Sequence, residues 1–179
     1  MEIIIAFLIL IVVLSLLGIL YIVLYNKYQS CIVRINEAEN MIDDTLRKRF
    51  DILSNLEKHI VNNTGLEQDN FSVFNDETKI SNFDMDRKLT KIHDSFQSII
   101  SDFEKELSID EVRVLMTELK INTEKLDASK SYYNKHTTNI NLLVKKFPTN
   151  IIGKIHGIRE RNYFDNKNLN DDDILDFKL

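Results

Sequence analysis

The chain has 179 residues with one Pro, four Gly, one Cys and no Trp, a length that suits one domain with terminal extensions and a thiol count that excludes an internal disulfide framework. Turns and sheet corners depend on Gly and Pro, so their scarcity argues against doubly wound and all-β folds and for a few long helices. A net charge of -5, with basic residues scattered among acids, argues against nucleic acid as a partner.

The first element runs from Ile3 to Leu24 and carries no charged residue. At about 1.5 Å per residue such a helix just crosses a hydrocarbon core of about 30 Å. The chain starts Met1-Glu2, without a basic leader, and the run exceeds the apolar part of a signal peptide, so the pattern predicts an uncleaved transmembrane helix over residues 1–25. Cys31 follows Tyr28-Gln29-Ser30 and comes after the charge of Lys27, whereas a lipoprotein signal would need a small aliphatic residue at the third position back, which is Tyr28; it reads as a plain thiol on a helix. Tyr21, Tyr25 and Tyr28 fall where amphipathic rings favour the bilayer–water boundary. No basic residue precedes the run while Lys27 and Arg34 come after it, which places the remainder of a single-pass protein on the cytoplasmic side.

Positions 32, 35, 39, 42, 46, 49, 53, 56 and 60 step by threes and fours, and all but Glu39 and Arg49 are Ile or Leu. This seam predicts that the membrane helix continues without a linker into a bundle helix, coupling anchor and bundle mechanically. Asn62-Asn63-Thr64-Gly65 ends it, and the polar stretch to Ser81-Asn82 reads as loop with one helical turn near Phe71 to Phe74. A second seam runs Met85, Leu89, Ile92, Phe96, Ile99, Phe103 and Leu107, and Ser108 and Glu111 have the spacing of a capping box for the next helix. The third seam runs Val112, Met116, Leu119, Thr123, Leu126, Lys130, Tyr133, Thr137, Ile140, Val144 and Phe147, stopped by Pro148. The fold predicted is all-α: an N-terminal transmembrane helix continuing into an antiparallel bundle of three to four long helices over residues 26–164. Short alternating connections would make it up-down-up, with Phe147 far from the membrane; the long connection 62–83 would allow a crossover instead. Residues 147–164 read as a cap folded back on the bundle, with membrane or partner docking as the sharper alternative, and 165–179, with Asp171-Asp172-Asp173, as a disordered acidic tail.

Chemistry is sought and not found. A di-metal bundle needs Glu-x-x-His pairs, but Leu56, Thr90, Tyr133 and Gly153 stand three before His59, His93, His136 and His156. His-Glu-x-x-His, Walker, G-x-G-x-x-G and Cys-x-x-Cys patterns are absent too, so no cofactor or metal is expected, and each His reads as a surface or helix-face residue. Charges on the seam at Glu39 and Arg49 either snorkel to water from its edge or are paired; for Arg49 a structural ion pair is predicted.

Taken together, Tyr25-Asn26, Ile42-Asp43-Asp44-Thr45-Leu46-Arg47-Lys48-Arg49, Asn55-Leu56, Tyr133-Asn134, Phe147-Pro148-Thr149-Asn150, Gly157 and Tyr163-Phe164 resemble the pattern of the bacterial LemA family, over about residues 3 to 164. The sequence departs from it at Ser54, where Pro is usual, at Glu39, where Trp is frequent, and in a Tyr-Pro-x-Leu-Lys link of which only Phe103 remains. The resemblance implies a helical bundle anchored in the bacterial inner membrane, with no established enzymatic activity, and related magnetosome proteins imply roles in membrane organisation. The function expected is a non-catalytic scaffold or interaction module, bound to the bilayer through residues 3–24 and to protein partners or itself, with these motif residues acting as fold determinants. Membrane remodelling and a metal-binding or enzymatic bundle are the alternatives.

Overall fold

The computed structural model describes residues 1–65, 80–103 and 109–164. Four helices account for them: α1 (Glu2–Thr64), α2 (Asn82–Asp102), α3 (Ile109–Lys145) and α4 (Thr149–Ile155), and no strand occurs among the described residues. The helical turn near Phe71 to Phe74, the capping Ser108, Leu107 and the acidic tail lie outside them.

α1 is unbroken from the apolar run through the seam, and it is the one described helix long and apolar enough to cross a membrane. An eighteen-residue stretch of it has a mean hydropathy of 3.4 with none of its residues buried. Gly65, at φ +69°, ends the helix by donating its N–H to the Val61 carbonyl at 2.9 Å, a left-handed position that Gly fills without strain. At the start of α2, Ser81 is the N-cap: its Oγ accepts the Asp84 N–H at 3.1 Å and donates to the Asp84 carboxylate at 2.6 Å. That places an acid in the first turn, where the helix dipole favours it.

The chain divides into two compact units, one of residues 1–37 together with the chain from Tyr132 onward, the other of Ala38–Ser131. In the second, Ile42, Leu46, Leu53, Leu56 and Ile60 of α1, Leu89 and Phe96 of α2, and Leu119 and Leu126 of α3 are essentially sealed from solvent. Each contributes about 1.5 to 3 kcal/mol by leaving water. The predicted seam is correct except at one step, where Ala38 is buried and Glu39 is exposed. Steps of three and four leave that choice to packing, and the small apolar side chain takes the inner place.

Helix direction in this unit follows from its polar contacts. The Asn122 amide donates to the Thr45 carbonyl at 3.0 Å and His59 meets Glu111 at 3.1 Å, so α3 runs antiparallel to α1. α3 therefore starts at the His59 end, and the five residues between Phe103 and Ile109 reach only about 20 Å, less than the roughly 30 Å of α2. The end of α2 must then lie at the His59 end as well, while Asp86 near its start meets Arg49 and Lys130. α2 is parallel to α1, and the order is up-up-down rather than up-down-up.

In the first unit the second half of α3 is antiparallel to α1 too. Leu24, Tyr28 and Ile35 form a buried cluster with Ile140 of α3 and Ile152 of α4, with Tyr133, Val144 and Ile158 packed at its margin. Phe147 is thus beside Lys27 and Cys31, just past the apolar run, and not far from it.

Candidate functional site

Two polar arrangements stand out, one in each unit. The first is a collar around α1 where the apolar run ends. Thr149 begins α4, its hydroxyl bonded to the Leu143 and Lys146 carbonyls at 2.6 and 2.7 Å, and its own carbonyl accepts the buried Tyr28 hydroxyl at 3.1 Å. Burial pushes the Tyr28 phenol up and the bond to Thr149 only partly offsets this, so it stays a neutral donor. Gly153 is required there, because a Cβ would stand 2.8 Å from the Tyr28 hydroxyl. Further along, His156 Nε2 lies 2.7 Å from the Tyr21 hydroxyl, and its ring packs 4.7 Å from that of Tyr25.

Beyond Gly157, whose φ of +64° turns the chain, residues 158–164 run back along α3 as a strap. Asn141 holds Arg161 by both backbone groups at 2.9 Å, Asn134 accepts the Phe164 N–H at 2.8 Å, Tyr133 donates to the Asn162 carbonyl at 3.2 Å, and Thr138 meets the Tyr163 hydroxyl at 3.3 Å. The Phe164 ring sits edge-on to Tyr133, at 6.4 Å between centroids. These amides and hydroxyls satisfy a strap with no ladder of its own. The predicted fold-back of 147–164 is therefore seen as a short helix and a strap.

A cleft of about 510 Å³ opens on this unit between Lys27, Ser30, Cys31, Leu143, Phe147 and Thr149. Cys31 is a free, half-buried thiol, raised by burial with Arg34 opposing, so the poorly nucleophilic protonated form prevails. Of the surface and helix-face positions expected for the histidines, His136 takes the second, on an inner face of α3: it is 4% exposed, its ring lies 4.4 Å from Tyr132, and Nδ1 has no partner. Burial, with Arg34 and Lys135 adding and Glu37 opposing, holds it below the usual imidazole range and neutral.

The second arrangement is ionic. Arg49, with a side chain 5% exposed, lies 3.5 Å from Asp86, whose other oxygen accepts Lys130 at 2.5 Å. Lys130 is also 3.9 Å from Asp127. The Arg49 Nη2 points at His93 Nδ1 at 3.4 Å, while its Nε has no partner. Burial draws Arg49 down and Asp86, Asp127 and Asp94 oppose it; a guanidinium stays charged under such opposition. His93 is lowered by burial and by Arg49, so its neutral ring can accept. The expected pairing of Arg49 is what the structure contains, and the exposed position on the seam is Glu39.

The motif residues divide between the units. Tyr25, Tyr133, Asn134, Pro148, Asn150, Gly157, Tyr163 and Phe164 gather in the first, Asn150 with a buried Oδ1 lacking a partner. Phe147 is 80% exposed, off the core seam assigned to it, and Asn26 is exposed as well. In the second unit Ile42, Leu46 and Leu56 are core, Arg49 is ionic, Asp43 makes an exposed pair with Arg47 at 2.8 Å, and Asn55 faces solvent. The sequence pattern did not single out Asp86, His93, Asn141, Gly153 or His156; the signal that could have pointed to a buried acid is Lys130 on an otherwise uncharged seam, which the sequence reading passed over.

Among the described residues no group of three or more His, Cys, Asp or Glu is placed to hold a metal ion. A model of the LemA family, so described, matches residues 38–174. No curated protein and no solved structure matches the chain.

Proposed function

The chain belongs to the LemA family, and on that premise we propose that it is a single-pass protein of a bacterial inner membrane whose helical part serves as a non-catalytic scaffold or interaction module. The observation that carries the reading is α1 itself: an apolar run with no buried residue before Leu24, which continues as one helix into residues buried beneath α2 and α3. A free apolar helix in water would associate or aggregate, whereas lipid accepts it as it stands. The basic residues Lys27 and Arg34 favour the cytoplasmic side for the chain beyond the span.

An interaction role is supported by the surface of α3 in the second unit. Val114 and Ile121, seven residues apart and 59% and 62% exposed, share one helix face. The buried charges of this unit are spent on each other, which gives a rigid surface rather than a reactive centre. Partner proteins or a second copy are the proposed occupants of that face.

The test is site-specific photo-crosslinking from Val114 and Ile121 of the full chain in intact cells, with carbonate extraction of the membranes. Discrete adducts from both positions in a carbonate-resistant fraction are expected. Release by carbonate rejects the anchor; no adduct from either position rejects the face. Liposome deformation by the purified full chain would move the assignment to membrane remodelling.

A further inference from the structure

We propose that the outward side of the turn after α3, formed by Phe147, Ile151 and Ile155, is embedded in the bilayer interface, so that the protein holds the membrane by this edge as well as by α1. The proposal rests on the reading of the apolar run as a membrane span. α4 is two-sided: Thr149, Ile152 and Gly153 are buried, whereas Ile151 and Ile155, one turn apart, are 48% and 63% exposed and Phe147 just ahead of them is 80% exposed. Large apolar groups gathered this way on a seven-residue helix need a covering phase.

The contacts to α1 identify that phase. Thr149 is tied to Tyr28 and His156 to Tyr21, so α4 travels back along α1 over seven residues, about 10 Å, in the direction of the apolar run. The run ends at Leu24. Ile155, next to His156, is thereby level with Leu20 and Ile22, which are 46% and 57% exposed and face lipid in any spanning arrangement. The apolar side of α4 is continuous with that lipid-facing surface, and an immersion of this depth is what interfacial helices show, about 5 to 10 Å.

Charge agrees with depth. Between Lys146 and Arg159 the chain carries Lys146, Lys154 and Arg159 and no acid, although the whole protein is net negative. Lys27 borders the same cleft as Phe147. Long basic side chains at an interface extend their heads to phosphates while their stems stay in the apolar layer. The occupant is a bilayer containing anionic lipid.

The absence of Trp from the chain makes the test direct. Full-length single-tryptophan variants Leu10→Trp, Ile155→Trp, Ile151→Trp and Val33→Trp are reconstituted into phosphatidylcholine–phosphatidylglycerol vesicles carrying brominated acyl chains. Val33 is 62% exposed on α1 and about 13 Å beyond Leu24. Emission from Leu10→Trp and Ile155→Trp should fall about twofold or more, Ile151→Trp less, and Val33→Trp hardly at all. Quenching of Ile155→Trp and Ile151→Trp no greater than that of Val33→Trp, with Leu10→Trp quenched, overturns the inference and leaves the anchor standing. An unquenched Leu10→Trp overturns both.

Discussion

The two units differ in the polar contacts that dominate them. In Ala38–Ser131 the interior centres on formal charges, Arg49 and Lys130 on either side of Asp86; in the unit around Tyr28 the contacts that hold α4 and the strap come from the Tyr28 hydroxyl and the Asn134 and Asn141 amides, turned to backbone groups. The difference follows from what must be held. Helices satisfy their own backbones, so three of them need only side-chain pairs to fix register, whereas a strap leaves bare N–H and C=O groups that neutral side chains match best. The ionic unit should therefore fail by unpairing a charge and the neutral unit by losing fit.

The largest effect is expected at Asp86. Asp86→Ala leaves Arg49 and Lys130 without the acid between them, and removing one member of such a buried set costs about 3 to 5 kcal/mol, nearer the lower figure here because Lys130 retains Asp127. Arg49→Met removes the charge together with its need for a partner and leaves Asp86 to Lys130, so about 1 kcal/mol should be lost. Urea titration of the full chain in detergent reads both. A melting temperature for Arg49→Met unchanged or above that of the parent would remove the ion pair as a source of stability.

In the neutral unit the corresponding change is steric. Gly153→Ala drives a Cβ to 2.8 Å from the Tyr28 hydroxyl, and the buried ring has nowhere to retreat. Overpacking of this kind costs about 1 to 3 kcal/mol, partly offset by the better helix propensity of Ala. Removing the hydroxyl relieves the clash, because the ring carbon beneath it is 3.4 Å away. The double variant Gly153→Ala/Tyr28→Phe should be more stable than Gly153→Ala alone, a coupling that a thermodynamic cycle measures.

The same contrast explains what could be read from the sequence. Apolar seams are periodic within one helix, so α1, α2, the break at Pro148 and the core positions Ile42, Leu46, Leu89 and Phe96 were legible, as was Arg49 as a charge needing a partner. Its partner was not, since Asp86 lies on another helix and nothing local marks it. Nor was helix direction, because a connection as long as the one after α1 is compatible with either order. The strap was legible only as apolar residues outside a long helix: Asn141 and Asn134 are ordinary surface residues by type, and only the backbone they face gives them a role. Phe147 misled because it continues the spacing of the third seam past the point where α3 ends at Lys145.

Asn141 tests the neutral unit directly. Asn141→Ala strips both of these bonds from the part-buried Arg161 backbone, a loss of about 1 to 2 kcal/mol. The loss should be local. Amide exchange over residues 160–164 should accelerate while urea unfolding of Asp86-dependent structure keeps its midpoint.

Acid sharpens the comparison less, because each unit holds a depressed imidazole. His93 is lowered by burial and Arg49, with Asp94 opposing, and His136 by burial, Arg34 and Lys135, with Glu37 opposing. A folded-state pKa below 6.5 means the unfolded chain takes up the proton first, so this stability is whole above about pH 6.5 and is lost as pH falls from there toward the folded value. His93→Gln and His136→Gln should each flatten part of the decline in melting temperature across that window. A decline left intact by both would assign it to carboxylates.

The smallest effect separates the two designs most cleanly. Lys145 and Glu160 form an ion pair at 3.0 Å between α3 and the strap, with side chains 55% and 50% exposed. If charge held this unit as it holds the other, breaking the pair would loosen the strap. Water and salt screen an exposed pair, and its two long side chains give up rotamer freedom to meet, so Lys145→Ala should change stability by no more than a few tenths of a kcal/mol. Exchange over residues 160–164 should stay at the parent rate in Lys145→Ala and rise in Asn141→Ala. The reverse order would mean that ion pairing governs both units, and that the amide bonds to Arg161 only accompany it.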